Sequence, residues 1–266
     1  MPIWLEQFVQ RIADLVFMLL PRSRPTRQAL LDCKIVSHRG EHDNKRVLEN
    51  TILAFDRVQE IGTWGIELDL RWTKDAQAVV HHDSNTRRVF KQDIEISQVT
   101  LVELQRRIAD IPTLAQVIWR YGSRMHLMVE LKRGDNLDPA QKMAHLQPLF
   151  AGLTPGVDFH FISLYSDLFE LVKFAPQEAL LPIAELNISS SSAQTLKSGL
   201  AGIGGQYLLL SNKMIRDHHR CNQKVGSGFS ASRFCFYREL NRGVDWIFTN
   251  DAVRLQKIRQ RLLRNS

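Results

Sequence analysis

The segments IVSHRG (residues 35–40), LENTILAF (48–55) and GIELDLRWTKDAQAVVHHD (65–83) place acids and imidazoles at the ends of apolar runs that are typical of buried strands. Such breaks in the hydrophobic pattern are expected at functional sites. Successive side chains of a strand point to opposite faces, so Glu67 and Asp69 project together from one face. Adjacent buried carboxylates are costly unless a cation compensates them, and oxygen ligands suit divalent ions such as Mg²⁺ or Ca²⁺. The third segment therefore predicts a metal site.

A further apolar run, MVELK (residues 128–132), repeats this pattern. Glu130 and Lys132 share one face of the predicted strand, so a third carboxylate and an ammonium group join the set. The alternative for a single run of this kind is a half-exposed strand whose charges are solvated. Two such runs accompanied by histidines favour the metal site.

The composition is that of one large globular domain. The chain has 266 residues, of which 44% are hydrophobic and 24% charged, a size that α/β barrels reach as a single unit. The net charge of +7 favours an anionic partner: a phosphate substrate, an anionic lipid surface or nucleic acid. The three cysteines form no C-x-x-C pair, which argues against a disulfide framework or zinc ribbon and predicts a reducing, cytoplasmic compartment.

Residues 1–30 are predicted to form an amphipathic helix and a basic collar, ahead of a barrel domain at residues 31–266. Trp4, Phe8 and Ile12 recur at helical spacing, with polar residues opposite. Charges interrupt the helix too often for a membrane span, and no basic start of a signal peptide precedes it. Two interpretations remain open. The helix covers the floor of the barrel, or it lies on a membrane surface and makes the protein peripheral.

Eight predicted strands alternate with helical patterns along the rest of the chain. The strands are residues 34–37, 65–70, 125–131, 159–163, 180–184, 206–210, 224–228 and 246–249. Such alternation implies a parallel sheet, and eight units favour an α/β fold of the closed TIM-barrel type, (β/α)₈. No G-x-G-x-x-G follows a strand, which disfavours a dinucleotide-binding fold.

A short polar segment, residues 71–76, separates the second strand from a further apolar run at residues 78–82. A parallel crossover needs a dozen or more residues, so the two runs are predicted to form a hairpin. The hairpin folds His82 back toward the barrel mouth, where the carboxyl ends of the strands carry the active residues. The side chains predicted to converge there are His38, Glu67, Asp69, Glu130, Lys132 and Ser163.

These motifs, in the order HRG, ENT…AF, IELDL..TKD…VVHHD and ELK, resemble the glycerophosphodiester phosphodiesterase family, a TIM-barrel group of metal-dependent phosphodiesterases. The similarity continues through IPTL (residues 111–114) and GVDWIFTND (243–251), so it covers nearly everything after the amino-terminal helix. The resemblance implies that the metal ligands are Glu67, Asp69 and Glu130. It also implies that the general base and general acid are His38 and His82.

By the same resemblance, Arg39 and Lys132 hold the substrate phosphate. Glu49 and Asn50 of the ENT motif and Asp83, which can orient the His82 ring, support the centre. The residue types agree with phosphodiester chemistry, because a divalent ion with Arg and Lys neutralises phosphate oxygens and two imidazoles supply a base and an acid. The nucleophile is either water or the neighbouring glycerol hydroxyl, through a cyclic phosphate.

The implied function is metal-dependent hydrolysis of glycerophosphodiesters to glycerol 3-phosphate and an alcohol. The alternatives are a lysophospholipase D acting on membrane-derived lysolipids and a barrel that binds phosphodiesters without cleaving them. Nucleic acid is not an expected partner, because no platform of aromatic and basic residues is visible. Two departures from the family alter the mouth: KVGSGFSAS (residues 224–232) stands where most members have W-T-V-N, and Asn250 replaces an acid.

Overall fold

The structure, a computed structural model, describes residues 16–265 of the chain. Nine strands within these residues form one sheet. They are β1 (Lys34–His38), β2 (Gly65–Trp72), β3 (Ala78–Val80), β4 (His126–Leu131), β5 (Phe159–Ser163), β6 (Leu180–Ala184), β7 (Gly202–Gln206), β8 (Lys224–Gly228) and β9 (Trp246–Thr249). β1 pairs in parallel with both β2 and β9, so eight parallel strands close into a barrel and β3 stands beside it. The predicted (β/α)₈ barrel is confirmed.

The helices of the described residues surround this barrel. They are α1 (Arg27–Asp32), α2 (Ile52–Glu60), α3 (Arg87–Phe90), α4 (Leu101–Arg107), α5 (Leu114–Tyr121), α6 (Pro139–Leu149), α7 (Ile188–Thr195), α8 (Asn212–Arg220), α9 (Arg233–Arg242) and α10 (Ala252–Arg264). Short 3₁₀ helices lie at Ile96–Gln98, Ser166–Val172 and Gln177–Ala179. Across the described chain, no helix has both the length and the apolar character needed to cross a bilayer.

Local sequence explains where several helices begin. The Thr113 hydroxyl accepts a hydrogen bond from the Gln116 N–H at the start of α5, and the Gln116 side chain completes a capping box. Asp138 caps α6 in the same way, with Pro139 in the first helical position. Thr51 caps α2, which leaves the side chain of Asn50 available for other contacts.

The hairpin after the second strand is present, with β2 and β3 antiparallel. Its second strand is shorter than the predicted run of residues 78–82, because it ends at Val80. The chain then turns, so His81 is buried while His82 lies on the segment that follows the strand. The His81 N–H still donates to the Asp69 carbonyl at 2.9 Å, which holds this segment beside β2.

The predicted strand at residues 206–210 is wrong, since β7 is Gly202–Gln206 and residues 207–209 form a turn. Glycine has low strand propensity, so the pattern favoured the apolar run after it. Packing requires the glycines: a Cβ on Gly202 would stand 1.8 Å from the Lys224 carbonyl oxygen, and one on Gly205 would stand 2.2 Å from Ile188.

The two faces of β2 enter different environments. Ile66, Leu68 and Leu70 point outward and pack in the apolar layer between the sheet and helices such as α2, which contributes Phe55. Glu67 and Asp69 therefore point into the barrel. A separate apolar cluster, made of Val36, Met128, Ile162, Leu181, Ala201, Trp246 and Phe248, fills the barrel interior.

The predicted amphipathic helix of residues 1–30 falls mostly outside the described residues. Residues 16–19 are helical, and α1 begins separately at Arg27. The Phe17 ring packs edge-on against Tyr207, with 5.7 Å between the ring centroids. The division into an amino-terminal segment at residues 1–30 and a barrel domain at residues 31–266 stays a prediction.

Candidate active site

Three carboxylates meet at the mouth of the barrel. Glu67 and Asp69 lie on β2, and the parallel register of β2 and β4 sets Asp69 directly beside Glu130. Each residue offers one oxygen, and these oxygens lie within 4.8 Å of one another. All three residues are buried, and Glu67 Oε1 accepts no hydrogen bond from any part of the chain that the structure describes. A set of hard oxygen ligands that includes one unpartnered atom fits a divalent metal ion.

Two basic side chains partly neutralise these carboxylates. Lys132 Nζ lies 2.9 Å from Asp69 Oδ1 and 2.6 Å from Glu130 Oε1. Arg39 Nε lies 3.0 Å from Asp69 Oδ2. Three carboxylates and two cations leave one net negative charge in the cluster, which favours a further cation.

The pKa values of the three acids reflect this crowding. Burial, followed by the charges of Asp69 and Glu130, raises the pKa of Glu67 well above its usual range. Burial also raises the pKa of Glu130. For Asp69, burial alone would raise the pKa, but the charges of Arg39 and Lys132 hold it well below its usual range. A divalent ion would favour the ionised form of all three acids.

His38 stands at the end of β1 next to this cluster, with Nε2 3.8 Å from Glu67 Oε2. Its Nδ1 lies 2.7 Å from Asn250 Oδ1. Because an amide oxygen only accepts, Nδ1 carries the ring proton and Nε2 keeps a free lone pair. Burial, followed by the charge of Arg39, lowers the pKa of His38 to about 3, so the ring is neutral. Nε2 is therefore the ring atom that can accept a proton.

His82 also lies near the cluster, because its charge is one of the smaller contributions to the low pKa of Asp69. Its Nδ1 lies 2.6 Å from Asp83 Oδ1. Two guanidinium nitrogens of Arg71 donate to the His82 carbonyl at 2.8 and 2.5 Å, which fixes the backbone. Ring and backbone of His82 are thus both held.

Arg39, Glu49 and Asn50 lie in the loop after β1, whereas Ser163 ends β5. Arg39 donates through Nη1 to Glu49 Oε1 at 3.1 Å. Asn50 donates from Nδ2 to Asp69 Oδ2 at 2.7 Å, so it orients a carboxylate instead of capping α2. Ser163 is different from the others, because its hydroxyl donates to the Leu131 carbonyl at 3.1 Å and is fully buried. Its contacts are therefore with the barrel backbone.

Three residues of the site were not predicted as members of it. Arg88 binds both Glu49 and Asp83, and Asn250 binds His38. Phe229 packs edge-on against the His38 ring with 4.7 Å between centroids, so the KVGSGFSAS segment keeps an aromatic side chain at the mouth. No local signal separates Arg88 from the adjacent Arg87. The position of Asn250, just after the last strand, could have indicated its role.

Comparison with known proteins gives a consistent result. Residues 38–151 match the sequence model of the Glycerophosphoryl diester phosphodiesterase family. A glycerophosphodiester phosphodiesterase of Caldanaerobacter subterraneus subsp. tengcongensis is 38% identical over 117 residues, which cover 40% of this chain and about half (47%) of that protein. A glycerophosphodiester phosphodiesterase of Bacillus subtilis is 26% identical over 96% of this chain and 97% of that protein.

Among solved structures, a phosphodiesterase of Oleispira antarctica in complex with the product sn-glycerol-3-phosphate superposes with a TM-score of 0.73. It is 20% identical, with 88% of this chain and 97% of that chain covered. This likeness supports the barrel fold. The resemblance that the motifs indicate is confirmed.

Proposed function

We propose that this chain, a relative of the glycerophosphoryl diester phosphodiesterase family over residues 38–151, hydrolyses glycerophosphodiesters to glycerol 3-phosphate and an alcohol. The observation that carries the proposal is the cluster of Glu67, Asp69 and Glu130, whose oxygens lie within 4.8 Å of one another. His38 Nε2 lies 3.8 Å from this cluster, at Glu67 Oε2. The predicted activity and the predicted roles of the site residues agree with this geometry.

The three carboxylates would hold Mg²⁺ or Ca²⁺, and the ion would act as a Lewis acid toward phosphate oxygens. Arg39 and Lys132 stand at the same centre and can donate to the remaining oxygens of the phosphate. Both side chains contact Asp69, the carboxylate that is most readily ionised of the three. Asp69 therefore also orients the two phosphate donors. The mouth is therefore suited to a dianionic transition state.

Proton transfer falls to the two histidines. His38 Nε2 accepts the proton of the attacking hydroxyl, which belongs to water or to the glycerol moiety. His82 gives a proton to the oxygen of the departing alcohol as its bond to phosphorus breaks. Asn250 and Asp83 hold the Nδ1 atoms of the two rings, so each histidine presents Nε2 to the substrate.

The test is a product assay on glycerophosphocholine, glycerophosphoethanolamine and glycerophosphoglycerol with metal-stripped protein and with protein restored by Mg²⁺, Ca²⁺ or Mn²⁺. We expect glycerol 3-phosphate from restored protein only, and none from His38→Ala or Glu67→Ala. Binding of these diesters without turnover under every metal would overturn the proposal and support the non-catalytic barrel.

A second candidate function, lysophospholipase D activity, is favoured by the apolar rim, which we define as Tyr165, Leu186, Leu208 and Leu209. These side chains are 36–74% exposed and follow the carboxyl ends of the neighbouring strands β5, β6 and β7. The polar groups of the site come from the other half of the mouth. An acyl chain attached to the glycerol needs apolar surface beside the phosphate centre, and the rim offers it.

Residues 16–20 add to the same surface. Phe17 contacts Tyr207, which directly precedes Leu208, and the apolar side chains of Val16, Met18, Leu19 and Leu20 are all exposed. Residues 16–20, a described part of the segment predicted to be amphipathic, thus lie next to the rim. This placement favours peripheral contact with a lipid surface over the floor of the barrel. The predicted cytoplasmic compartment stays a prediction.

The two substrates are separated by comparing lysophosphatidylcholine with glycerophosphocholine. The rim variant Leu208→Ser/Leu209→Ser should lower kcat/KM for the lysolipid by about 30-fold, because each leucine that the acyl chain covers contributes about 1 kcal/mol. The same variant should leave glycerophosphocholine hydrolysis unchanged. Val157→Ser removes an exposed apolar side chain from the loop before β5, away from the rim, and serves as the control. Equal losses on both substrates would exclude a role of the rim in acyl binding.

A further inference from the structure

The His82 ring depends on a carboxylate that is itself held. Asp83 uses Oδ1 for His82 Nδ1 at 2.6 Å and Oδ2 for Arg88 Nε at 2.6 Å. Both oxygens of the Asp83 carboxylate are therefore engaged, and their plane is set by the guanidinium of Arg88. Because Asp83 is partly exposed, the carboxylate would be free to rotate without this second contact.

The opposite edge of the same guanidinium binds Glu49. Arg88 Nη2 donates to Oε1 at 2.6 Å and Nη1 donates to Oε2 at 3.0 Å, a bidentate pair. Glu49 in turn accepts from Arg39 Nη1 at 3.1 Å, and Arg39 contacts Asp69. One continuous chain of charged contacts thus joins the acid histidine to the phosphate-binding arginine and to a carboxylate of the metal cluster.

The backbone of Arg88 is anchored independently of these contacts. Arg88 lies on α3, where Val89 is buried and the Thr86 hydroxyl donates to the Gln92 carbonyl at 2.7 Å. Burial alone would raise the pKa of Glu49, but the hydrogen bonds from Arg88 and the charges of Arg39 and Arg88 lower it to about 2. Glu49 is therefore ionised at every working pH, and the link to Arg88 persists.

We propose that Arg88 is a positioning residue that keeps His82 aimed as the proton donor. The inference rests on the proposed hydrolysis. Arginine is required because its planar fork has two edges, one for Asp83 and one for Glu49. The single ammonium group of lysine cannot hold both carboxylates in these planes.

Leaving-group dependence tests this role. A choline alkoxide is a poor leaving group and needs a proton from His82, whereas p-nitrophenolate leaves without one. We expect Arg88→Ala to lower kcat for glycerophosphocholine by about 10²-fold, the usual range for general acid catalysis, with KM changed little. Hydrolysis of a p-nitrophenyl glycerophosphodiester should be nearly unaffected. His82→Ala and Asp83→Asn should show the same selective loss.

Arg87→Ala is the matched control. Arg87 is the adjacent arginine on α3, it is 71% exposed, and it pairs with Asp93 instead of the site. This variant should keep wild-type rates on both substrates. Millimolar guanidinium should partly restore Arg88→Ala, whereas Arg88→Lys, which keeps the charge but not the fork, should remain impaired on glycerophosphocholine. Equal losses of Arg88→Ala on both substrates would show a merely structural role and overturn the inference.

A measurement without turnover separates this inference from the proposed function. In ¹⁵N-labelled, metal-free protein, the Nδ1 proton of His82 should give a slowly exchanging low-field resonance that is absent from His82→Gln. Arg88→Ala and Arg88→Lys should lose or shift it, and Arg87→Ala should retain it. An unchanged resonance in both Arg88 variants would refute the positioning role. Loss of the resonance without any diester hydrolysis by the wild type would refute only the proposed reaction.

Discussion

His38 Nδ1 lies 2.7 Å from Asn250 Oδ1, although the two residues are 212 positions apart in the chain. The parallel pairing of β1 with β9 brings them together at the barrel mouth. An amide oxygen only accepts, so it fixes the ring proton on Nδ1 and leaves Nε2 with a free lone pair. Burial and the charge of Arg39 keep the pKa of His38 low, although the hydrogen bond to Asn250 acts to raise it. A neutral partner, Asn250, thus determines that Nε2 of His38 is the base of the proposed reaction.

Replacing Asn250 with Ala should therefore impair the base. We expect kcat to fall by about 10²-fold, within the usual contribution of general base catalysis, for alkyl and p-nitrophenyl diesters alike. Both leaving groups are affected because each reaction needs deprotonation of the nucleophile. Steady-state kinetics on the two substrates measures this, with the exposed Asn241→Ala as control. A loss restricted to the alkyl substrate would contradict the assignment of His38 as the base.

Glu67→Gln should weaken metal binding by about 10-fold or more, because it removes one ionised ligand from the cluster. Isothermal titration of metal-stripped protein with Mg²⁺, Ca²⁺ and Mn²⁺ measures the affinity directly, without an activity assay. Glu170→Gln changes an exposed acid that lies outside the cluster and should bind as the wild type does. Unchanged affinity in Glu67→Gln would place the ion elsewhere.

Gly202→Ala should destabilise the barrel by about 3 kcal/mol or more, because the residue has φ of +146° and the new Cβ would stand 1.8 Å from a backbone oxygen. Gly152→Ala is the control, since no atom lies within 4 Å of its Cβ position and its φ is not positive. Urea unfolding monitored by circular dichroism gives both free energies. Equal stability of the two variants would show that β7 tolerates a side chain at this position.

Stability should fall as the pH is lowered from about 6.5 toward 4, because of the histidine pair beneath the site. His126 Nδ1–H donates to the Val157 carbonyl, so its Nε2 must accept from His160 Nδ1 at 2.7 Å, and both rings are neutral. Burial lowers the pKa of His126 to about 4 and that of His160 to about 3. The unfolded chain takes up protons near pH 6.5 that the folded chain excludes.

The unfolding free energy should thus drop by up to about 1.4 kcal/mol per pH unit for each histidine. His160→Gln keeps a donor for His126 and removes one titrating group, so its free energy of unfolding should depend less steeply on pH. His145→Gln replaces an exposed histidine, so its free energy of unfolding should depend on pH as steeply as that of the wild type. Parallel profiles of all three proteins between pH 6.5 and 5 would rule out this origin of acid sensitivity.

Much of the architecture follows from local pattern. Seven of the eight barrel strands largely overlap the ranges predicted from the sequence, and the short connection after β2 permits only a hairpin. The exception is β7, Gly202–Gln206. Its glycines have low strand propensity, but close packing against β8 and α7 requires them. A pattern of apolar residues indicates which side chains are buried. A strand of glycines is instead required where neighbouring residues leave no space for a Cβ atom.

By itself, the sequence determined that Glu67 and Asp69 share one face of a strand and that Glu130 lies near the end of a second strand, because side-chain alternation in a strand is a local property. It also placed His38 and His82 at the ends of two other apolar runs. Only the tertiary structure decided which partners those groups have. Asn250 instead of an acid sets the proton on His38, and Arg88 instead of Arg87 holds Asp83. These choices depend on the closure of the barrel and the orientation of a four-residue helix, which join residues that no local pattern connects.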